Sequence, residues 1–123
     1  MIKVYHNPRC RKSRAGLDYV KSRTNSYEVV DYMNKAPSVP ELENLIMKLG
    51  IAPSELVRTQ EAYYKTNLKG KQFNDHEWIK ILAENPKLIR RPIVESRYKA
   101  VVADPPEEAE RFFKNSDKTK QES

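Results

Sequence analysis

The stretch IKVYHNPRCRKSRAGLDYVKSRTNSYEVVDY, residues 2–32, decides the fold. Residues 2–6 are typical of a short strand, which the Asn-Pro pair at 7–8 ends. A helical pattern then runs from Arg11 to about Arg23, and residues 27–32 are typical of a second strand. Because two strands joined through a helix run parallel, this stretch predicts an opening β-α-β unit.

The remaining sequence predicts a helical segment and then a closing β-β-α unit. A Ser38–Glu41 capping box predicts a helix over 40–49 that Gly50 ends, and Asn74 caps a further helix. In full, we expect helices over 40–49, 75–84 and 107–113, short helical pieces over 53–57 and 61–67, an extended segment over 88–94 and a strand over 100–103. This order predicts an α/β thioredoxin-like fold: a mixed sheet with helices on both faces and a helical insert between its halves.

Length and composition indicate one small domain. We expect residues 1–113 to form a single domain with the insert at about 34–88, and the polar tail 114–123 to be disordered. The 23 Lys and Arg exceed the 17 Asp and Glu, which gives a net charge of +6. No apolar run approaches the roughly 20 residues of a membrane span, and residues 1–8 do not resemble a signal peptide. We therefore expect a cytoplasmic monomer without a membrane segment.

The small number of cysteines and histidines limits the kinds of functional site that the chain can form. The chain has one cysteine, Cys10, and two histidines, His6 and His76, so an intramolecular disulfide and a Cys-rich zinc site are excluded. We expect no metal and no bound cofactor. A lone cysteine is most often a small buried hydrophobe, but Cys10 lies between the first strand and the first helix, among Arg9, Arg11, Lys12 and Arg14. A helix N-terminus and nearby positive charge both favour a thiolate, so Cys10 is the candidate nucleophile.

Two common types of cysteine chemistry do not fit. A cysteine phosphatase loop needs an arginine six residues after the cysteine, where Gly16 stands. A dithiol oxidoreductase needs a second cysteine at Ser13, whose hydroxyl cannot resolve a mixed disulfide but can hydrogen-bond the Cys10 thiolate. A catalytic cycle through Cys10 therefore needs a thiol from another molecule.

Several motifs together resemble the ArsC/Spx family, and in particular its glutaredoxin-coupled arsenate reductase branch. They are His6-x3-Cys10-x3-Arg14, Leu56-Val57-Arg58, the block from Asn85-Pro86 to Arg91-Pro92-Ile93-Val94, Ala100-Val101-Val102 and Pro105-Pro106-Glu107. The resemblance extends over residues 1–113. It implies a thioredoxin fold and the reduction of arsenate to arsenite.

The resemblance also assigns the site residues. Cys10 attacks arsenic, glutathione serves as co-substrate, and glutaredoxin removes the mixed disulfide. Arg58 and Arg91 hold the arsenate oxygens, because a guanidinium suits an oxyanion in bidentate fashion. His6, Ser13 and Arg14 support the cysteine, and Pro92 is expected to be the cis-proline that faces it. As alternatives, Arg58 is a helix-end charge, Arg91 a surface ion pair, Pro92 a trans proline and His6 a packing residue.

The sequence departs from the family pattern near its last strand. By its spacing from Arg91-Pro92, a third arginine of the family falls at Ala100, with Arg97 and Lys99 as candidates to replace it. Ala103-Asp104 also places an acid where many members have a base. These departures keep a different thiol-reactive substrate as an alternative to arsenate.

Three other functions are alternatives. One is a family member that reduces another thiol-reactive substrate, and a second is an Spx-like regulator that binds RNA polymerase, which Ser13 in place of a second cysteine disfavours. The third is a nucleic-acid binder. Only the positive net charge supports this function, and we do not expect it.

Overall fold

The computed structural model describes residues 1–113; the tail at 114–123, where we predicted disorder, lies outside the described residues. The strands are β1 (Ile2–Tyr5), β2 (Tyr27–Val30), β3 (Ile93–Glu95) and β4 (Ala100–Val102), and the helices are α1 (Arg11–Arg23), α2 (Val39–Leu49) and α3 (Asp75–Glu84). Short 3-10 turns lie at Pro53–Leu56, Pro86–Leu88 and Pro106–Ala109, a π-helical turn lies at Tyr64–Leu68, and helical turns continue from 110 to 113. The predicted elements are confirmed within a few residues at their ends.

The four strands form one mixed sheet in the order β2-β1-β3-β4. β1 pairs with β2 in parallel, whereas β3 is antiparallel to both β1 and β4. In the centre of the sheet, Val4 lies between Val29 on β2 and Val94 on β3. The predicted opening β-α-β and closing β-β-α units are therefore confirmed.

The chain divides into two compact units, and the first comprises residues 1–31 and the described residues from Arg91 onward. Its core joins one face of the sheet to α1 and the C-terminal helical turns. The buried side chains are Val4, Leu17, Val20, Val94, Val101, Ala103, Ala109, Phe112 and Phe113. The Tyr19 hydroxyl donates a hydrogen bond to Glu110, and Arg23 pairs with the same carboxylate. These contacts fix α1, and with it the loop that precedes α1, against the sheet.

The second unit spans Tyr32–Arg90 and contains the helices predicted as the insert at about 34–88. The predicted capping box of Ser38 and Glu41 begins α2, and the predicted cap Asn74 begins α3, where it forms a capping box with Glu77. Gly50 ends α2 with a φ of 68°, a left-handed conformation that suits glycine. α2 packs on α3 through buried leucines and isoleucines, among them Leu42, Leu45, Ile46, Ile79 and Leu82.

Gly16 lies where α1 packs against Pro92 and Ala103. A Cβ atom at this position would lie 2.2 Å from Pro92 Cγ and 3.4 Å from the Ala103 carbonyl oxygen. The proline ring cannot turn away as a flexible side chain could. Gly16 is therefore required for α1 to approach the Arg91-Pro92 segment this closely.

We expect Gly16→Ala to destabilise the protein by about 1–3 kcal/mol. The new methyl group collides with Pro92, and the cost of this overpacking exceeds the stability gained from the higher helix propensity of alanine. Urea unfolding measures the change. Asp18→Ala, an exposed position on the same helix, serves as the control and should stay within about 0.5 kcal/mol of wild type. A Gly16→Ala variant as stable as wild type would contradict the tight contact.

Within residues 1–113, no helix is both long enough and apolar enough to cross a membrane. The same residues contain no group of three or more His, Cys, Asp or Glu side chains arranged to hold a metal ion.

Candidate active site

The loop between β1 and α1 is held in place by its own backbone and by Asn7. The Cys10 N–H donates to the Asn7 carbonyl at 3.0 Å, and the Arg9 N–H donates to Asn7 Oδ1 at the same distance. The Arg14 guanidinium closes the loop from the helix side with a 2.8 Å hydrogen bond to the Pro8 carbonyl. Arg14 therefore supports the site by holding the loop.

Cys10 occupies the N-cap of α1 in an extended conformation, with φ −100° and ψ 123°, as predicted. The Cys10 residue is half-buried. Burial is the largest single influence on the Cys10 pKa and acts to raise it. The backbone of Ser13, the guanidinium of Arg91 and the backbone of Lys12 act in the opposite direction, and together they hold the Cys10 pKa below its ordinary value. The sulfur thus lies where its thiolate is favoured.

Arg91 acts on the Cys10 sulfur, and Pro92, the next residue, lies against Gly16 of α1 just before β3. Arg91 is buried, and its guanidinium lowers the Cys10 pKa both as a hydrogen-bond donor to the sulfur and as a positive charge. The alternative of a surface ion pair is therefore wrong for Arg91. The Arg91–Pro92 peptide bond is cis, which confirms the predicted isomer and excludes the trans alternative. The structure brings together Cys10, Arg91 and Pro92, three residues that we assigned to one site.

Ser13 acts through a different atom from the one we expected. Its hydroxyl is fully buried, accepts a 2.8 Å hydrogen bond from the Asn7 N–H and lies 2.8 Å from His6 Nδ1. The Ser13 backbone, not the hydroxyl, acts on the Cys10 sulfur. The expected bond between the Ser13 hydroxyl and the Cys10 thiolate is therefore wrong, because His6 and Asn7 occupy the hydroxyl.

His6 links the sheet to this network. Its N–H continues the β1–β2 ladder by donating to the Val30 carbonyl, and its ring contacts the Ser13 hydroxyl. Burial lowers the His6 pKa below its ordinary value, although hydrogen bonding to Ser13 and the nearby Asp31 carboxylate act in the opposite direction. A neutral ring lets Nδ1 accept the Ser13 proton. His6 therefore does more than pack at the end of a strand, since it holds the first turn of α1.

The His6 ring should make stability depend on pH. Because the pKa is lower in the folded chain, the unfolded state binds more protons, so this stabilisation is complete above the unfolded value of about 6.5 and is lost as pH falls through the folded value. We expect His6→Gln to lose less unfolding free energy than wild type between pH 7.5 and 5.5. His76→Gln, which changes an exposed histidine, should retain the wild-type dependence. Equal losses in wild type and His6→Gln would contradict the role of His6.

Arg58 lies in the second unit, directly after the 3-10 turn at Pro53–Leu56. Its backbone N–H donates to the Leu88 carbonyl at 2.7 Å, and its guanidinium is largely buried, 3.3 Å from the Glu61 carboxylate. Its assignment to the oxyanion site stays a prediction.

The structure corrects the position assigned to the third arginine. Ala100 pairs with Glu95 across the β3–β4 hairpin, and Glu95 pairs with Lys3 near the start of β1. Ala100 therefore lies at the end of the sheet away from the Cys10 loop, and the assignment to Ala100 is wrong. Arg97 and Lys99 lie in the exposed hairpin turn at that same end, where Arg97 stacks on Tyr98.

Asp104 lies two residues beyond the end of β4, and Val102, the last residue of β4, is at the end of the sheet nearer Cys10. The Ala103 N–H donates to the Pro92 carbonyl at 2.9 Å, and the Asp104 carboxylate pairs with Lys12 Nζ at 3.2 Å. The sequence analysis noted the acid at this position but missed that it pairs with Lys12 in the first turn of α1. It also missed Asn7, for which an Asx turn at the Asn-Pro pair was an available signal.

This arrangement defines a class of protein: a thioredoxin-like fold in which a single thiol with a lowered pKa lies at a helix N-terminus, beside a buried arginine that precedes a cis-proline. Residues 5–112 match the ArsC family, and the chain belongs to that family.

Individual relatives agree with this membership. The chain is 37% identical over 111 residues to an arsenate reductase of Neisseria meningitidis, which covers 89% of this chain and 95% of the relative. It is 38% identical over 109 residues to the uncharacterized protein YfgD of Escherichia coli, with 87% and 92% covered. The solved structure of an arsenate reductase from Vibrio cholerae is 38% identical, covers 87% of this chain and 92% of its own, and superposes with a TM-score of 0.81.

Proposed function

We propose that this protein reduces arsenate to arsenite through a covalent adduct on Cys10, with glutathione and glutaredoxin as the external thiols. The observation that carries the proposal is the convergence on one sulfur of the α1 N-terminus and the Arg91 guanidinium. Both groups favour a thiolate, and both also attract the oxygens of an oxyanion. Membership of a family that includes proteins named arsenate reductase supports the same substrate.

In the first step the Cys10 thiolate attacks arsenic, an S–As bond forms, and one oxygen leaves as water after it is protonated. In the second step glutathione attacks the Cys10 sulfur, a disulfide forms, and the S–As electron pair stays on arsenic, which leaves as arsenite. Two thiols have then been oxidised and As(V) has been reduced to As(III). Glutaredoxin takes the glutathione from the mixed disulfide and restores the Cys10 thiolate.

External thiols are needed because the chain has one cysteine. The cytoplasm is the compartment we propose, since glutathione keeps thiols reduced there. The role proposed for Arg91, and for Arg58 as a second guanidinium, is to hold the arsenate oxygens as negative charge develops on them.

The test is arsenite formation by the purified protein with arsenate, glutathione and glutaredoxin, measured with each thiol omitted in turn. We expect repeated turnover only when both thiols are present, at most one arsenite per protein molecule with glutathione alone, and none from Cys10→Ser. Turnover with glutathione alone would contradict the glutaredoxin step. No arsenite under any condition would overturn the proposal and favour a different thiol-reactive substrate or a regulator that binds RNA polymerase.

A further inference from the structure

A carboxylate lies beside the site that is proposed to bind an anion. Two contacts of Ala103 place the end of β4 near α1 and Pro92. The Ala103 N–H donates a hydrogen bond to the Pro92 carbonyl, and the Ala103 carbonyl oxygen lies 3.4 Å from the Cβ position of Gly16 on α1. The next residue, Asp104, pairs with Lys12 at 3.2 Å. Lys12 is the second residue of α1, and its backbone acts on the Cys10 sulfur.

The Lys12–Asp104 pair changes the charge that an incoming anion meets. An unpaired Lys12 ammonium would add to the positive charges of Arg91 and the helix N-terminus. Asp104 offsets that ammonium with a charge of opposite sign. The side chain of Asp104 is 32% exposed and that of Lys12 is 60% exposed, so solvent screens the carboxylate less than the ammonium. The Lys12–Asp104 pair therefore disfavours the second negative charge of a doubly charged ligand.

We propose that Asp104 is a specificity-determining residue that makes the Cys10 site favour singly charged tetrahedral oxyanions over doubly charged ones. This inference rests on the oxyanion site of the proposed function. Because Coulomb energy scales with the charge of the ligand, a nearby carboxylate opposes a dianion about twice as strongly as a monoanion. Asp104 therefore favours the singly charged form of arsenate, which carries more protons and so supplies a better leaving oxygen.

Sulfate and methanesulfonate test the proposal, because both are tetrahedral and their charges, two and one, do not change near neutral pH. The readout is protection of Cys10 from iodoacetamide at fixed pH and ionic strength, and it reports on one site because the chain has one cysteine. We expect Asp104→Asn to raise the affinity for sulfate about tenfold and that for methanesulfonate about threefold. The reason is that the change in Coulomb energy is twice as large for a ligand with two charges as for a ligand with one.

Two further variants keep the test decisive. Lys12→Gln leaves Asp104 without its counter-charge, so it should lower the affinity for sulfate more than the affinity for methanesulfonate. Asp18→Asn makes the same change of charge as Asp104→Asn at an exposed position farther along α1, and it should leave both affinities unchanged.

The outcomes separate this inference from the proposed function. Anions that protect Cys10 equally in wild type and Asp104→Asn, or equal shifts in Asp104→Asn and Asp18→Asn, would overturn the role of Asp104 and leave the oxyanion site intact. No protection by either anion in any variant would overturn the oxyanion site, and with it both proposals.

Discussion

Cys10→Ser is expected to abolish arsenite formation while the chain still folds. The serine hydroxyl stays protonated near neutral pH and cannot replace the thiolate as the nucleophile. The thiol is only partly buried, so the exchange of sulfur for oxygen should cost less than about 1 kcal/mol of unfolding free energy. Arsenite assays and urea unfolding measure the two effects.

The pH dependence of that small stability difference is a further check on the same variant. The Cys10 pKa is lowered in the folded chain, so the thiolate contributes stability that is present above the unfolded value and is lost as pH falls through the folded value. Wild type should therefore gain stability over Cys10→Ser as pH rises. A large loss of stability in Cys10→Ser at every pH would instead identify the thiol as a packing element.

Arg91→Ala is expected to lower kcat/KM for arsenate by roughly 100- to 1000-fold, because a preorganised donor to the reacting oxygens is lost. The same change should raise the Cys10 pKa, since a hydrogen-bond donor and a positive charge leave the sulfur. Arg91→Lys should recover part of the activity, because it keeps the charge but loses the planar fork.

Arg90→Ala is the matched control for Arg91→Ala. Arg90 is the neighbouring arginine, and its guanidinium donates to the Glu55 carbonyl. This variant should keep kcat/KM and the Cys10 pKa near their wild-type values. An Arg91→Ala variant with unchanged kinetics and an unchanged Cys10 pKa would contradict the assignment of Arg91.

The elements that the sequence predicted well are those with local signals. The helix ends are examples: the caps at Ser38 and Asn74 and the left-handed Gly50. Each depends only on residues a few positions apart, so each can be recognised from the sequence. The proximity of Arg91 to Cys10 has no local signal, because it depends on how β3 pairs with β1. It was assigned through the family resemblance, and the structure agrees.

The errors at Ala100 and Ser13 have physical causes. Counting residues from Arg91-Pro92 ignores that the chain reverses at the Ser96–Lys99 turn, so residues close in number lie at opposite ends of the sheet. The Ser13 hydroxyl was assigned to its sequence neighbour Cys10, but its partners are His6 and Asn7. Which partner a buried hydroxyl takes depends on tertiary packing.

We propose that Cys10 is an activated thiolate in an oxyanion site, a claim that one titration decides. The rate of Cys10 alkylation is measured against pH, with and without arsenate. We predict a midpoint below the free-cysteine value of about 8.5 and slower alkylation when arsenate is present. A midpoint at or above the free value, with no protection by arsenate, would contradict the claim.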